Sequence, residues 1–254
     1  ATCAPLPAPS IDCTAVEVIC VDDDAGPTQE VATIQEAAAQ VGPGSVVVVH
    51  EGTYAGFQVD TSGTEVTPVV FFASGDVVID TPAATGDGIR LQNVSHVRVE
   101  GFSIVAPPER CLAARGATPE TPMVGLVIAD NRCISAGVEG FYLSEVSASL
   151  VQGNAISGSG ASGDIRSHGI YLANAWSDGT TIACNVIRDA GPAESNGIHM
   201  NGDLSVGGDG IISGVVVDAN VIFGNNQNGL NLDGVQSAIF RNNLVYGNGR
   251  NALR

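Results

Sequence analysis

From residue 85 onward, the chain repeats a short pattern of glycine and apolar residues. The pattern is a glycine, an apolar residue, any residue and a second apolar residue. It occurs at residues 88–91, 125–128, 140–143, 169–172, 197–200 and 229–232. Most units begin about 30 residues apart, and strand-only units at periods of about 20 to 50 residues indicate a solenoid. The short step from residue 125 to residue 140 predicts a second strand within one coil.

Asparagine recurs at a fixed place after the later units. An asparagine followed by two apolar residues lies at Asn154, Asn185, Asn220 and Asn243. Asparagine tolerates the left-handed backbone conformation of tight corners, and stacked asparagine side chains form hydrogen bonds from coil to coil. We therefore expect these residues to form corners and a ladder.

Alternation along each strand predicts which side chains face the core. The two apolar residues of each unit point inward, and the residue between them points outward. The outward residues should form one exposed column, which contains Arg90, Tyr142, Tyr171, His199 and Asn231. Two residues further along each strand, a neighbouring column contains Ser144, Ala173, Asn201 and Asp233. Since adjacent coils lie about 4.8 Å apart, Tyr171 and His199 are expected to act together.

The residues before residue 55 do not follow the repeat of glycine and apolar residues. Residues 1–21 predict an irregular, disulfide-containing leader that ends in a short strand, and residues 22–254 predict a single solenoid domain. Between Val31 and Val41 the apolar spacing is helical. Thr33 and Glu36 have the spacing of a capping box, and the glycines and proline at 42–44 end the helix.

Two stretches carry a family resemblance. The run ATIQEAAAQVGPGSVVVVHEGTY, at residues 32–54, resembles the N-terminal cap of pectate-lyase-like right-handed β-helix proteins. The pattern NGIHMNGD, GGDGI and NLDGV, between residues 196 and 235, resembles exported bacterial right-handed β-helix repeat proteins. The resemblance implies an all-β, right-handed parallel β-helix with a short N-terminal capping α-helix.

Composition and charge limit the classes of molecule that the protein is expected to bind. Hydrophobic residues make up 44% of the chain but aromatic residues only 5%, which suits a core of small branched side chains. The formal net charge is −17, and all ten basic residues are arginine. Such a surface repels nucleic acid and anionic membranes. A polyanionic substrate would require cations or a local arginine patch.

The six cysteines have no spacing typical of a zinc site. Three of them lie in the first 20 residues, which predicts a disulfide-stapled, exported N-terminus. Proximity favours Cys13–Cys20 and Cys111–Cys133, while Cys184 is expected to be a small buried side chain. No apolar run is long enough to span a membrane. We therefore expect a secreted or cell-surface protein whose signal peptide has been removed.

The resemblance also implies a chemistry, because many members of this superfamily cleave or epimerise polysaccharides of uronic acids. Such a reaction needs a base, an acid and a group that neutralises the substrate carboxylate. We assign His199 as the base, Tyr171 as the acid, and Arg166 or Arg188 as the neutralising group. The predicted substrate-binding residues are Arg90, Tyr142, Asn201 and Asn231. The predicted function is thus a polysaccharide lyase.

Other functions remain open. Asp203 and Asp233 on adjacent coils would suit a glycoside hydrolase, and an epimerase uses similar groups. A non-catalytic adhesion or structural β-helix is the alternative from a different class. A groove with walls would favour catalysis, whereas a flat face would favour the structural protein.

Two further expectations concern calcium and the end of the chain. Asp203, Asp209 and Asp233 offer hard oxygen ligands for Ca²⁺, although turns formed by Asp-Gly pairs explain Asp209 and Asp233 equally well. Residues 251–254 follow a strand without a capping helix. An uncovered coil predicts end-to-end contact, or a natural chain that continues past residue 254.

Overall fold

The computed structural model describes residues 3–9, 11–24, 31–164, 167–192 and 194–254. Within these ranges the chain forms 26 strands, one α-helix and one 3₁₀ helix. The α-helix, α1, spans Ile34–Ala38, and the 3₁₀ helix spans Leu204–Val206. Both helices are short, so nearly all regular structure is β.

The strands of the first half are β1 Val18–Val21, β2 Val46–Ala55, β3 Phe57–Val59, β4 Val69–Thr81, β5 Ile89–Gln92, β6 Val97–Glu100, β7 Ser103–Val105, β8 Leu112–Arg115, β9 Met123–Val124, β10 Val127–Ala129, β11 Arg132–Ile134, β12 Phe141–Ser144 and β13 Val146–Ser147. Those of the second half are β14 Leu150–Gln152, β15 Ala155–Ser157, β16 Ile170–Ala173, β17 Thr181–Ala183, β18 Val186–Arg188, β19 Ile198–Asn201, β20 Ile212–Ser213, β21 Val216–Asp218, β22 Val221–Phe223, β23 Leu230–Asp233, β24 Val235–Gln236, β25 Ile239–Arg241 and β26 Leu244–Tyr246.

These strands stack into three long parallel faces. The first face runs β4-β6-β10-β14-β17-β21-β25, and the second runs β4-β7-β11-β15-β18-β22-β26. The long strand β4 belongs to both. The third face runs β3-β5-β8-β12-β16-β19-β23. The chain visits the three faces in turn, which is the architecture of a parallel β-helix.

The repeat pattern corresponds closely to the third face. The units at 140–143, 169–172, 197–200 and 229–232 lie on β12, β16, β19 and β23, in register. The unit at 125–128 instead leads into β10 on the first face, which confirms the second strand within one coil. The coil between the units at 88 and 140 was missed, because β8 follows Cys111 where the other units have glycine.

The apolar residues of the units fill the interior, as predicted. Ile170, Leu172, Ile198 and Met200 are fully buried. The glycine before each pair is required by close approach. A Cβ at Gly169 would lie 2.3 Å from the Cγ2 atom of Ile187 on the second face. No larger residue fits this corner without moving a neighbouring strand.

The predicted asparagine ladder lies at the corner between the first and second faces. The side-chain Nδ2 of Asn154 donates to Oδ1 of Asn185, and that of Asn185 donates to Oδ1 of Asn220, both at 2.9 Å. Asn131 and Asn243 extend the ladder at either end. The prediction that asparagine itself takes the left-handed conformation here was wrong, because the preceding residue does so, as at Cys184 with a φ of 59°.

The N-terminal helix α1 packs against the first strands of the β-helix. Thr33 and Glu36 form the predicted capping box, but α1 is shorter than the predicted helix. Its buried residues, Ile34, Ala37 and Ala38, join the main core, and the helix packs on β1, β2 and β3.

Three disulfides connect the cysteines. Cys13–Cys20 and Cys111–Cys133 are the favoured pairs. Cys184 pairs with Cys3, so its expected role as a simple buried side chain was wrong. This bond joins the leader to the centre of the β-helix. Among the described residues, no helix has the length and apolar character to cross a membrane.

Candidate active site

The two predicted columns are present on the third face, but Asn231, Ser144 and Ala173 are buried rather than exposed. Tyr142, Tyr171, His199 and Asn231 occupy equivalent positions on β12, β16, β19 and β23. Leu253 pairs with Leu230, which places the next residue, Arg254, beside this column. Ser144, Ala173, Asn201 and Asp233 form the neighbouring column. The column continues upstream to Arg115 on β8.

A cavity of about 620 Å³ lies over these columns. It is therefore a walled groove rather than a flat face. Its lining is polar and rich in arginine: Arg110, Arg115, Glu139, Tyr142, His168, Tyr171, Glu194, Asn196, His199, Gln227, Asn231, Asp233, Arg250 and Arg254. Four of the ten basic residues of the chain line this one cavity. Three acidic residues, Glu139, Glu194 and Asp233, line the cavity as well. In a protein of net charge −17, the four arginines make this cavity less acidic than the surface as a whole.

Aromatic rings form the floor of the cavity. The Tyr171 ring stacks on His199, with centroids 4.8 Å apart and planes 5° apart. Tyr142 meets Tyr171 edge to face at 5.6 Å. The guanidinium groups of Arg110 and Arg115 lie 5.0 and 4.6 Å from the centre of the Tyr142 ring. These contacts hold the rings at fixed angles.

His199 forms hydrogen bonds through both ring nitrogens. Its Nδ1 lies 2.9 Å from Nε2 of His168, and its Nε2 lies 3.1 Å from Oδ2 of Asp233. Burial lowers the pKa of His199, and Asp233 opposes that shift. Burial lowers the pKa of His168 further, to about 3, and nearby His199 adds to that shift. Both imidazoles are therefore neutral at neutral pH.

The hydroxyl of Tyr171 accepts a hydrogen bond of 3.4 Å from Nδ2 of Asn201. Burial raises the pKa of this phenol above its usual value, although the Asn201 bond acts in the opposite direction. Tyr171 is accordingly protonated at neutral pH. It can donate a proton to a group bound above the floor.

A third column of side chains runs beside the glycines of the repeat. The residue before each unit lies here: Asp87, Arg110, Glu139, His168, Asn196, Asn228 and Asn251. Arg110 forms an ion pair with Glu139, the Nε and Oε2 atoms being 2.8 Å apart. Burial raises the pKa of Glu139, and the charge of Arg110 opposes this. The paired charges form one wall of the cavity.

The structure brings some of the predicted site residues together. Tyr142, Tyr171, His199, Asn231 and Asp233 all line the cavity. Asn201 contacts it through Tyr171.

Other predicted site residues lie elsewhere. Arg90 occupies the same column two coils before Tyr142 and pairs with Asp87, outside the cavity lining. Arg188 is on β18 of the second face and pairs with Asp189, so its predicted grouping with His199 is corrected. Arg166 lies outside the described residues. The arginines that do line the cavity are 110, 115, 250 and 254.

Sequence reasoning missed nine of the lining residues, and one signal would have found four of them. Arg110, Glu139, His168 and Asn196 each immediately precede a repeat unit or its equivalent. Aligning that position from coil to coil reveals their column. Arg250 and Arg254 lie after the last repeat unit, where alignment of the units does not reach.

The three aspartates predicted to hold calcium do not form one cluster. Asp203 accepts from the backbone N–H of Ser205, Asp209 from that of Ile211, and Asp233 lies against His199. Among the described residues, the one group of three potential ligands within 4.8 Å is Cys13, Cys20 and His50, and its cysteines are disulfide-bonded. The three aspartates therefore do not fit the predicted calcium site.

Comparison with known proteins identifies the fold. No family model matches the chain, and no curated protein matches it in sequence. An alginate lyase from Paenibacillus sp. str. FPU-7 superimposes with a TM-score of 0.66 and 21% identity, covering 90% of this chain and 76% of that one. For pectate lyase Pel9A, the TM-score is 0.62 and the identity 14%, over 91% and 76% of the two chains. XylC in complex with xylose superimposes with a TM-score of 0.63 and 11% identity, covering 93% of this chain and 70% of that one. The chain has the pectate-lyase-like, right-handed parallel β-helix fold, as predicted.

Proposed function

We propose that the protein binds an acidic polysaccharide in the cavity of the third face and cleaves it by β-elimination. The observation that carries this proposal is the Tyr171–His199 stack, which shares one cavity with four arginines. β-Elimination in a uronic acid needs the same set of groups: cations for the carboxylate, a proton acceptor and a proton donor.

The arginines supply charge neutralisation. Arg115 is particularly suited, because its guanidinium lines the cavity, 4.6 Å from the centre of the Tyr142 ring. A guanidinium and a carboxylate form charge-assisted hydrogen bonds, so Arg115 can bind the substrate carboxylate. Neutralising that carboxylate makes the adjacent C–H bond more acidic. Arg254 lies beside Asn231, two coils after His199 in the column that contains Tyr171 and His199.

Three neighbouring side chains carry out the proton transfers. Tyr171, held protonated by burial, is the donor to the leaving oxygen. The acceptor is the hydrogen-bonded pair of His199 and Asp233, in which the Asp233 side chain is 52% exposed. All three lie on adjacent strands of one face. A substrate chain along that face would meet them in one place.

The resemblance to solved structures supports the same substrate class. Two of the structures similar in fold are named as an alginate lyase and a pectate lyase. Three disulfides favour an oxidising compartment. We therefore propose that the reaction takes place outside the cytoplasm.

The test is an ultraviolet assay for the unsaturated uronide that β-elimination creates. Alginate, polygalacturonate and host-type acidic glycans are incubated with the protein, with and without Ca²⁺. The expected result is an absorbance increase on one acidic polymer, strongly reduced in His199→Ala with unchanged circular dichroism. An increase that is the same in His199→Ala as in the wild type would remove this site from the reaction.

A blank ultraviolet assay would overturn the lyase, and a reducing-sugar assay then separates the remaining functions. New reducing ends without ultraviolet absorbance would indicate a hydrolase. If both assays are blank on every polymer, the non-catalytic surface protein becomes the better description.

A further inference from the structure

We propose that His168 is a positioning residue that fixes the proton of His199 on Nε2, and that the asparagines beneath it determine this arrangement. His168 is buried at the edge of the cavity, one coil before His199. Its ring links Asn196, Asn228 and Asn251, which follow it in the third column, to the proposed site through an unbroken series of hydrogen bonds.

The series begins with the side chain of Asn196. Its Oδ1 accepts from the backbone N–H of Asn228 at 3.1 Å and from Nδ2 of Asn228 at 2.9 Å. Asn228 is itself held by Asn251 on the next coil. Because a backbone N–H can only donate, the Asn196 oxygen must face Asn228. The Nδ2 group of Asn196 is therefore the end that faces His168.

Two donors consequently meet the same nitrogen of His168. The backbone N–H of Asn196 points at Nδ1 over 3.2 Å, and the Asn196 Nδ2 lies 3.4 Å from it. His168 Nδ1 must accept. A neutral imidazole carries one proton, so that proton is on Nε2. The low pKa of His168, about 3, keeps the ring neutral under ordinary conditions.

His168 then determines the state of His199. The Nε2–H of His168 donates to Nδ1 of His199 over 2.9 Å. The proton of a neutral His199 is therefore on Nε2, directed at Oδ2 of Asp233. A proton on Nδ1 of His199 would place two N–H groups against each other. The charged groups around His199 are Asp233 and Arg254, and His168 and Tyr171 are its titratable neighbours.

This arrangement assigns directions to the proton transfers, and this step rests on the proposed function. His199 donates through Nε2 and has no free lone pair for the substrate, so the earlier assignment of His199 as the base is replaced. Asp233 accepts the proton from the carbon next to the carboxylate. The electron pair of that C–H bond forms the double bond, the C–O bond breaks, and the Tyr171 hydroxyl protonates the leaving oxygen. Asp233 returns its proton through solvent, and Tyr171 regains one.

Nitrogen-15 NMR of the histidine side chains tests the tautomer without any substrate. The chain has four histidines, so assignment by single substitutions is practical. At neutral pH we expect both His168 and His199 to carry hydrogen on Nε2 and none on Nδ1. A proton on Nδ1 of either ring, or rapid exchange between tautomers at His199, would overturn the proposal.

Two variants separate positioning from a merely structural role. In His168→Gln, the side-chain amide can accept from Asn196 and donate to His199, so the His199 tautomer should be retained. In His168→Leu, the donor is lost, and His199 should show mixed tautomers and protonate at a higher pH than in the wild type. Identical His199 spectra in both variants would contradict the proposal. The NMR result stands even if no polysaccharide is cleaved, so its failure is distinct from that of the lyase.

Discussion

The ring of Tyr171 lies flat against the imidazole of His199, with the planes 5° apart. The two residues occupy the same position on neighbouring strands, so the stack follows directly from the register of β16 and β19. The stack fixes where the Tyr171 hydroxyl sits, beside Asn201 and over the cavity.

Replacing Tyr171 by phenylalanine keeps this stack and removes the proposed proton donor. We expect kcat on the acidic polymer to fall about 100- to 10,000-fold, with little change in KM, because general acid catalysis contributes rates of that size. Steady-state kinetics and thermal unfolding measure the two effects. Tyr246→Phe, an exposed tyrosine on the second face, is the matched control and should be fully active. Equal loss in both variants would refute the donor role.

Arg115→Gln should weaken substrate binding more than it slows the chemical step. The guanidinium packs on Tyr142 in the cavity lining, where it can bind the substrate carboxylate. Loss of a charge-assisted hydrogen bond costs about 1.5 to 3 kcal/mol, so KM should rise roughly 10- to 150-fold. Arg188→Gln, on the second face, is the control of identical chemistry. A similar KM for the two variants would place the carboxylate elsewhere.

Asn185→Ala should destabilise the fold by about 2 to 4 kcal/mol, because buried hydrogen-bonding groups lose their partners. The Asn185 side chain is fully buried; it donates to the backbone oxygen of Val151 and accepts from the backbone N–H of Asn154. Urea unfolding measures the change in the free energy of unfolding. Asn226→Ala, at an exposed position outside the ladder, is the control. We expect it to change the free energy of unfolding by no more than about 0.5 kcal/mol.

Stability should fall in mild acid through His168. Its pKa is about 3 in the folded protein against 6.5 for the free side chain. Below pH 6.5 the unfolded chain binds a proton that the folded chain does not. The free energy of unfolding therefore falls by about 1.4 kcal/mol for each pH unit down to about pH 3. Urea unfolding between pH 7 and pH 4 measures this slope. His168→Gln should reduce it, and an unchanged slope would show that other groups dominate.

The repeat pattern by itself determined the architecture. Glycine followed by alternating apolar residues at a period of about 30 predicts stacked parallel strands, because side-chain direction alternates along a strand. The same rule placed Tyr142, Tyr171, His199 and Asn231 in one column, and the register confirms that placement. These conclusions need only local geometry.

The tertiary structure decided the residues around that column. Arg115 and Arg254 belong to coils at the two ends of the cavity, and the repeat did not include them. Arg188 has a suitable charge but lies on the second face. The pairing of Cys3 with Cys184 bridges 181 residues, a distance that spacing cannot predict.

The proton arrangement also required the three-dimensional structure. The sequence supplies His168, Asn196 and Asn228, but which nitrogen accepts depends on the hydrogen bonds between different coils. Alternation sets the direction of a side chain from its own strand, whereas burial, pKa and tautomer depend on neighbours that are distant along the chain. The sequence therefore determined the face on which the site lies, and only the packing of the coils decided its chemistry.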